Sequence, residues 1–310
     1  MKKRCIRCNN EFNSNEMIVN DDVCDTCDAM NCITFWYPRL YRLSFPMPKT
    51  IIIHTNVQLI DLFDNKNPEG LGQFMSDLKN AVIEVGLPAF LRTGHLSNKH
   101  DWKNSCYINE KTIENESTLL SHTSDTLLNH VHNLLYMSCI ATIDRVIPFD
   151  FWAVREFIKT EPYFHYFIGE MPITKERRFF VRNGKIECHH NYWDRKAFEN
   201  DIDEKLFDEM ASLSNDDENE LIKMATYVAK LFSGYWSLDF LKGANGEWYL
   251  TDMAIGEKSH HPECKKIKQS LEEIKPCQNN KCEFYDKRII DKSNCQISFI
   301  RPTTGCKRFI

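Results

Sequence analysis

The sequence predicts an α+β fold, and three observations predict it. Two β-prone runs meet at Asn183-Gly184 and two more at Asn245-Gly246, a turn pair that closes antiparallel hairpins. Apolar residues recur at helical spacing over residues 69–86 and 216–234. Two CxxC pairs crowd the N-terminal end and mark a small metal-held appendage beside the core. The expected organisation is a zinc knuckle at 1–33, a central domain at 34–262 and a cysteine-rich tail at 263–310.

In the knuckle, "CIRC" and "CDTC" present Cys5, Cys8, Cys24 and Cys27, with fifteen residues between the pairs. Four thiolates at this spacing suit one tetrahedral zinc. A segment this short buries no core, so zinc would supply most of its folding free energy, on the order of 10 kcal/mol. Cys32 reads as a bystander.

Residues 50–54, "TIIIH", read as a buried strand. Residues 69–86 read as an amphipathic helix whose apolar face carries Leu71, Phe74, Met75, Leu78, Val82 and Ile83, with Gly86 as its stop. "LPAFLRT" is a strand and "GHLSNKHDW" a polar loop. Residues 118–141 form a second helical candidate. "DFWAVREFI" and "YFHYFIG" read as strands, and "ERRFFVRNGKIECHHNYW" as a hairpin. "DDENELIKMATYVAKLFSG" is a helix with acids in its first turn and Gly234 past its end. The hairpin "WSLDFLKGANGEWYLTDMA" follows. The tail changes character: it is basic and weakly periodic, and Cys277, Cys282, Cys295 and Cys306 are loosely spaced candidates for a second zinc, with His260, His261 and Cys264 as alternatives.

Composition narrows the function. The chain has 310 residues, a formal net charge of −5 and 27% charged residues, which disfavours a general nucleic-acid binder despite Lys2, Lys3, Arg4 and Arg7 beside the first knuckle. Its longest apolar runs are too short to span a bilayer, and "MKKRCIRC" develops no signal-peptide core. The expected location is the cytoplasm. There, thirteen cysteines are metal ligands or buried thiols rather than disulfides. Cys106, Cys139 and Cys188 lack a paired partner in sequence and read as buried thiols. His189-His190 and His260-His261 are adjacent pairs, which on a strand point to opposite faces and do not chelate one ion.

The middle of the chain carries groups that suit a nucleoside triphosphate. Arg92 ends a strand, and Lys99 lies in a loop with Gly94 and Ser97 that is not a Walker A loop. The run 154–158 offers Glu156 and the backbone of Phe157 and Ile158. Strand alternation puts Arg178 on one face with Glu176 and Phe180. Asp239 and Asp252 stand on the two strands of the last hairpin, where two carboxylates repel unless a cation lies between them.

In this order, "FLRTGHLSNK", "VREFI", "ERRFFV" and "LDFLKGANGEWYLTDMA" resemble the ATP-grasp superfamily, over residues 49–262. The branch most similar holds the eukaryotic cell-division-cycle protein that acts as an initiation-factor assembly chaperone, with related phage and bacterial proteins. The resemblance implies an ATP-grasp core of two α+β lobes. It implies that Arg92 and Lys99 bind phosphates, that Glu156, Phe157 and Ile158 hold the nucleoside, that Arg178 faces the γ-phosphate, and that Asp239 and Asp252 hold Mg²⁺. Lys99 and Arg178 would act in the chemical step. Where the family carries an asparagine two residues after its last acid, this sequence has Ala254; water or Glu257 would substitute. The activity so implied is an ATP- and Mg²⁺-dependent carboxylate–amine (or thiol) ligase working through an acylphosphate. The alternative is an ATP-binding assembly chaperone or adaptor without turnover, its client a protein. A zinc-ribbon nucleic-acid binder is a third reading, opposed by the net acidity.

Overall fold

The computed structural model describes residues 2–14, 22–115, 125–141, 149–168, 170–198, 202–261 and 265–266. Cys264, Cys277, Cys282, Cys295 and Cys306, and with them the second zinc expected in the tail, lie outside these residues. The described chain mixes helix and sheet. It divides into two compact units, one of residues 1–36, 48–174 and 243–245, the other of 37–47, 175–242 and 246–310.

The first unit begins with a short antiparallel hairpin, β1 (Lys2–Arg4) and β2 (Glu11–Asn13), followed by α1 (Asp25–Asp28) and the start of α2 (Ile33–Tyr41). Its main sheet holds β3 (Thr50–His54), then, after α3 (Leu71–Val85), β4 (Ala89–Thr93). A short α4 (Trp102–Ser105) leads to β5 (Tyr107–Ile108), α5 (Glu110–Glu114) and α6 (Leu127–Ala141), and β6 (Phe151–Glu156) returns to the centre of the sheet. The strand order is β3-β6-β4-β5, antiparallel throughout. α3 covers β3 and β6, with Phe74 edge-on to Trp152. A two-stranded hairpin, β7 (Phe164–Tyr166) and β8 (Met171–Ile173), completes the unit.

Three expectations need correction here. Ile83 is exposed, at 62%, because the buried stripe of α3 turns through Leu71, Phe74, Leu78, Ala81 and Val82. Asp125 and Thr126 are not helical, so α6 starts at Leu127; the part of the expected helix over 118–124 lies outside the described residues. Strand β6 stops at Glu156, so Phe157 and Ile158 follow the strand instead of belonging to it.

The second unit is a five-stranded antiparallel sheet. It is built from β9 (Glu176–Arg182), β10 (Lys185–Asn191), β11 (Tyr235–Lys242), β12 (Trp248–Ile255) and β13 (Lys265–Lys266), in the order β12-β11-β9-β10-β13. Asn183 and Gly184 both take positive φ, +47° and +84°, as the tight turn between β9 and β10 requires. Between β10 and β11 lie α7 (Glu204–Ala211), capped by Asp203, and α8 (Asn215–Leu231), capped by Ser214. α8 packs on β9, β10 and β11. His189 bonds Glu218 of α8 at 3.0 Å and stacks on Phe179, so the face with Phe179, Val181 and Leu238 is the helix-covered one. The other face carries the polar groups.

Candidate functional site

That polar face holds one row of side chains crossing four strands. Directly opposed residues in an antiparallel pair share a face. Asp252 of β12 opposes Asp239 of β11, which opposes Arg178 of β9, which opposes His190 of β10. Two bulges create the alignment. Uninterrupted register from the Asn183-Gly184 turn would set His189 against Arg178; the irregularity between Ile186 and Cys188 advances β10 by one and presents His190. The irregularity beside Asp239 does the same in β12, presenting Asp252 where Thr251 would have stood. Thr251 instead donates its hydroxyl to the Asp239 carbonyl at 3.1 Å.

Arg178 and Asp239 grip each other. Nε donates to Oδ1 at 2.7 Å and Nη2 to Oδ2 at 2.8 Å, a bidentate pair whose side chains are 15% and 9% exposed. The guanidinium also lies 4.7 Å over the Tyr192 ring, and Nη1 donates to the His260 carbonyl at 3.3 Å. Burial by itself would lower the Arg178 pKa; the charge and hydrogen bonds of Asp239 outweigh it and hold the group firmly protonated. Asp252 accepts the Met253 N–H at 3.0 Å. His190 donates Nδ1–H to the Asn191 carbonyl at 2.6 Å, which leaves Nε2 as an acceptor without a hydrogen-bond partner among the described residues. Burial lowers its pKa, so the ring is neutral at pH 7. Ala254 opposes Ser237, whose hydroxyl meets that of Ser259 at 2.7 Å.

The two other members of the E-x-R face take structural roles. Glu176 is buried and accepts from the Trp193 indole at 3.1 Å. Phe180 lies beneath His261, ring on ring at 3.7 Å. The Cys188 thiol, which had no partner in the sequence, meets His261 Nε2 at 3.0 Å, and His261 Nδ1 meets the Tyr235 hydroxyl at 3.0 Å. Burial lowers the His261 pKa. No local pattern marks this linkage, because its members lie far apart in the chain.

In the first unit, Arg92 is buried on β4, and its Nε donates to the Thr93 carbonyl at 3.1 Å. Lys99 lies half-buried in the loop after β4, before His100, which stacks on Phe167. Cys106 reports on both cations: burial pushes its thiol up to about 11, while hydrogen bonds from Ser105 and Asn98 and the charges of Lys99 and Arg92 pull the other way. Glu156 ends β6 exposed, accepting the Lys49 N–H at 3.1 Å. The Phe157 ring packs against Trp102 and Tyr107.

The four knuckle sulfurs of Cys5, Cys8, Cys24 and Cys27 all lie within 4.8 Å of one another. Tetrahedral zinc with ordinary Zn–S bonds needs sulfurs about 3.8 Å apart, and Cys8 and Cys24 stand 3.7 Å apart. The Cys24 N–H points at the Cys5 sulfur at 3.4 Å. Burial raises the Cys5 pKa, but backbone hydrogen bonds from Cys24, Cys8 and Arg7 outweigh it and bring it down to about 6, whereas burial raises the Cys24 and Cys27 thiols. The donor set and spacing fit zinc. No other group of three or more His, Cys, Asp or Glu among the described residues converges in this way.

No protein-family model matches the chain, and no curated protein matches it. Solved structures do. Residues covering 74% of this chain resemble a RimK domain ATP-grasp protein from Sphaerobacter thermophilus, at 10% identity and a TM-score of 0.39, over 60% of that protein. The same share resembles the ATP-grasp ligase PsnB at 12% identity and a TM-score of 0.37, over 53% of its length. It also resembles C-terminally truncated Cdc123 from Schizosaccharomyces pombe, at 13% identity and a TM-score of 0.46, over 85% of that chain. The chain thus spans less than two thirds of the first two. Identities and TM-scores this low transfer no activity and no residue role.

Proposed function

We propose that the chain is an ATP- and Mg²⁺-dependent carboxylate–amine (or thiol) ligase of ATP-grasp type, acting in the cytoplasm. The observation that carries the reading is the row Asp252–Asp239–Arg178–His190 on one sheet face. In this reading the chain is organised as a zinc knuckle at 1–33, an ATP-grasp domain at 34–262 and a tail at 263–310. No helix among the described residues is long and apolar enough to cross a membrane.

Asp239 and Asp252 would hold magnesium, which when bound neutralises phosphate charge. Arg178 would then turn its fork from Asp239 to the oxygens of the transferring phosphoryl group, where charge develops. Arg92 and Lys99 would hold phosphates, Lys99 as a point charge on a loop. Glu156 would bind ribose, and the backbone of Phe157 and Ile158 adenine. An acceptor carboxylate attacks the γ-phosphorus, ADP leaves, and an amine displaces phosphate from the acylphosphate. The chain's contribution is positioning and charge neutralisation.

A second reading is an ATP-binding assembly chaperone or adaptor without turnover. Ala254 favours it: the side chain opposite Ser237 offers no oxygen to a metal. Titration calorimetry of ATP with and without Mg²⁺, then ADP release in the presence of pooled amino acids and peptides, tests both. Magnesium-dependent binding with ADP release supports the ligase. Binding without release selects the adaptor. Absence of magnesium-dependent binding overturns both.

A further inference from the structure

The knuckle is joined to the loop that carries Lys99 by a chain of short-range contacts, all inside the first unit. From ligand Cys27 the backbone has no slack. Cys27 and Asp28 N–H groups bond the Cys24 carbonyl, each at 2.9 Å, closing α1. A 3-10 turn over Ala29–Asn31 follows at once, tied by Asn31 Nδ2 to Asp28 Oδ1 at 2.7 Å, and both residues are buried. The Cys32 N–H then bonds the Ala29 carbonyl.

At Cys32 and Ile33 the segment meets Gly94. The Ile33 N–H donates to the Gly94 carbonyl at 2.7 Å, and the Gly94 N–H donates to the Phe151 carbonyl at 2.6 Å. A β-carbon on Gly94 would lie 2.7 Å from the Cys32 sulfur and 2.9 Å from Phe151 Cβ, so the approach requires glycine. Cys32 stands outside the four-sulfur cluster, as expected; it is buried and fills the contact with Gly94. Gly94 opens the loop. Leu96 folds back on Thr93, its N–H bonding Thr93 Oγ1 at 3.1 Å, and Asn98 is buried with its carbonyl held by Ser105 Oγ at 2.8 Å. Lys99 comes next.

We propose that zinc on Cys5, Cys8, Cys24 and Cys27 and the conformation of the Gly94–Lys99 loop are thermodynamically linked through Cys32, Ile33 and Gly94. A knuckle this small folds only around its metal. Without zinc, α1 and the turn after it lose their anchor, and Gly94 loses the Ile33 donor and the Cys32 contact. Coupling is reciprocal, so whatever displaces Gly94 weakens zinc by the same factor that zinc loss loosens the loop. The proposal rests on the zinc reading of the knuckle and not on the ligase reading.

Hydrogen exchange followed by mass spectrometry, on the full chain with zinc and after metal stripping, tests it. Amides of Ile33, Gly94 and Leu96 should exchange about tenfold faster in the stripped chain, within the range typical of such couplings, while β9 to β12 stay protected. Changes confined to residues 2–31, or spread evenly through β9 to β12, would each overturn it, as would a purified chain that neither carries zinc nor binds cobalt. Gly94→Ala should speed zinc transfer to a chromophoric chelator, and Cys32→Ala in that background should slow it in part by removing the clashing sulfur, the contact with Phe151 Cβ remaining. Transfer unchanged by Gly94→Ala also overturns the proposal. Should Gly94→Ala fail to fold, the exchange comparison on the unaltered chain decides alone. Cys32→Ala by itself should leave zinc content unchanged.

Discussion

Arg178 is already matched to Asp239, and this governs what substitutions in the row do. Arg178→Ala would leave the Asp239 carboxylate buried beside Asp252 without its counter-charge. Removing one partner of a buried pair costs about 3–5 kcal/mol, so urea unfolding should show a loss of that order. Asp252→Asn removes a like charge and should leave stability unchanged or raised. A second carboxylate gives a pH prediction. Burial pushes Asp217 up, but Lys242, at 2.6 Å, and the Trp248 indole, at 2.9 Å, outweigh it and hold the carboxyl below its usual range. A depressed folded pKa stabilises above the unfolded value, about 3.9, and the contribution is lost as pH falls through the folded value. The stability gap between the chain and Asp217→Asn should therefore be full at neutral pH and narrow below about pH 4. In the sequence Asp217 read only as one of the acids at a helix start; its pairing with Lys242 and Trp248 depends on packing between distant segments.

At the level of elements, local chemistry made the hairpins and caps legible. Asn-Gly turns, the acids in the first turn of α8, and glycine after α3 each act within a few residues. Gly184, at φ +84°, should cost about 1 kcal/mol when changed to alanine, measured by thermal unfolding. The row of four was half legible. Alternation put Arg178, Asp239 and Asp252 on strands, yet which residues face each other depends on two bulges, and a bulge has no fixed sequence signature. The same limit hid the choice between His189 and His190. The knuckle was legible because metal geometry imposes spacing, whereas the Gly94 contact joins residues 61 positions apart from Ile33 and leaves no periodic trace. Cys5→Ser with Cys24→Ser should lower bound zinc by one per chain in elemental analysis; unchanged content would remove the assignment.

For the molecule as a whole, the two readings of the proposed function differ in whether Mg²⁺·ATP would be turned over or only held. Ligand that binds the folded state alone raises stability by about 2.7 kcal/mol at a hundredfold excess over its dissociation constant. Thermal unfolding with ATP should show such a rise only with Mg²⁺ present, and Asp252→Asn should abolish the magnesium-dependent part. Lys99→Ala should weaken ATP more than AMP, since AMP lacks the outer phosphates; equal losses would place Lys99 elsewhere. Ala254→Asn separates the two functional readings. It adds an oxygen donor on β12, two residues beyond Asp252 and, by strand alternation, on the same face. In a working ligase whose metal already has its ligands, the change should leave ADP release unaltered or increase it. In an adaptor that holds nucleotide through an incomplete metal site, it should tighten Mg²⁺·ATP in calorimetry while ADP release stays at background. If neither binding nor release responds to Asp239→Asn, Asp252→Asn or Ala254→Asn, the row does not hold the metal and the site model falls.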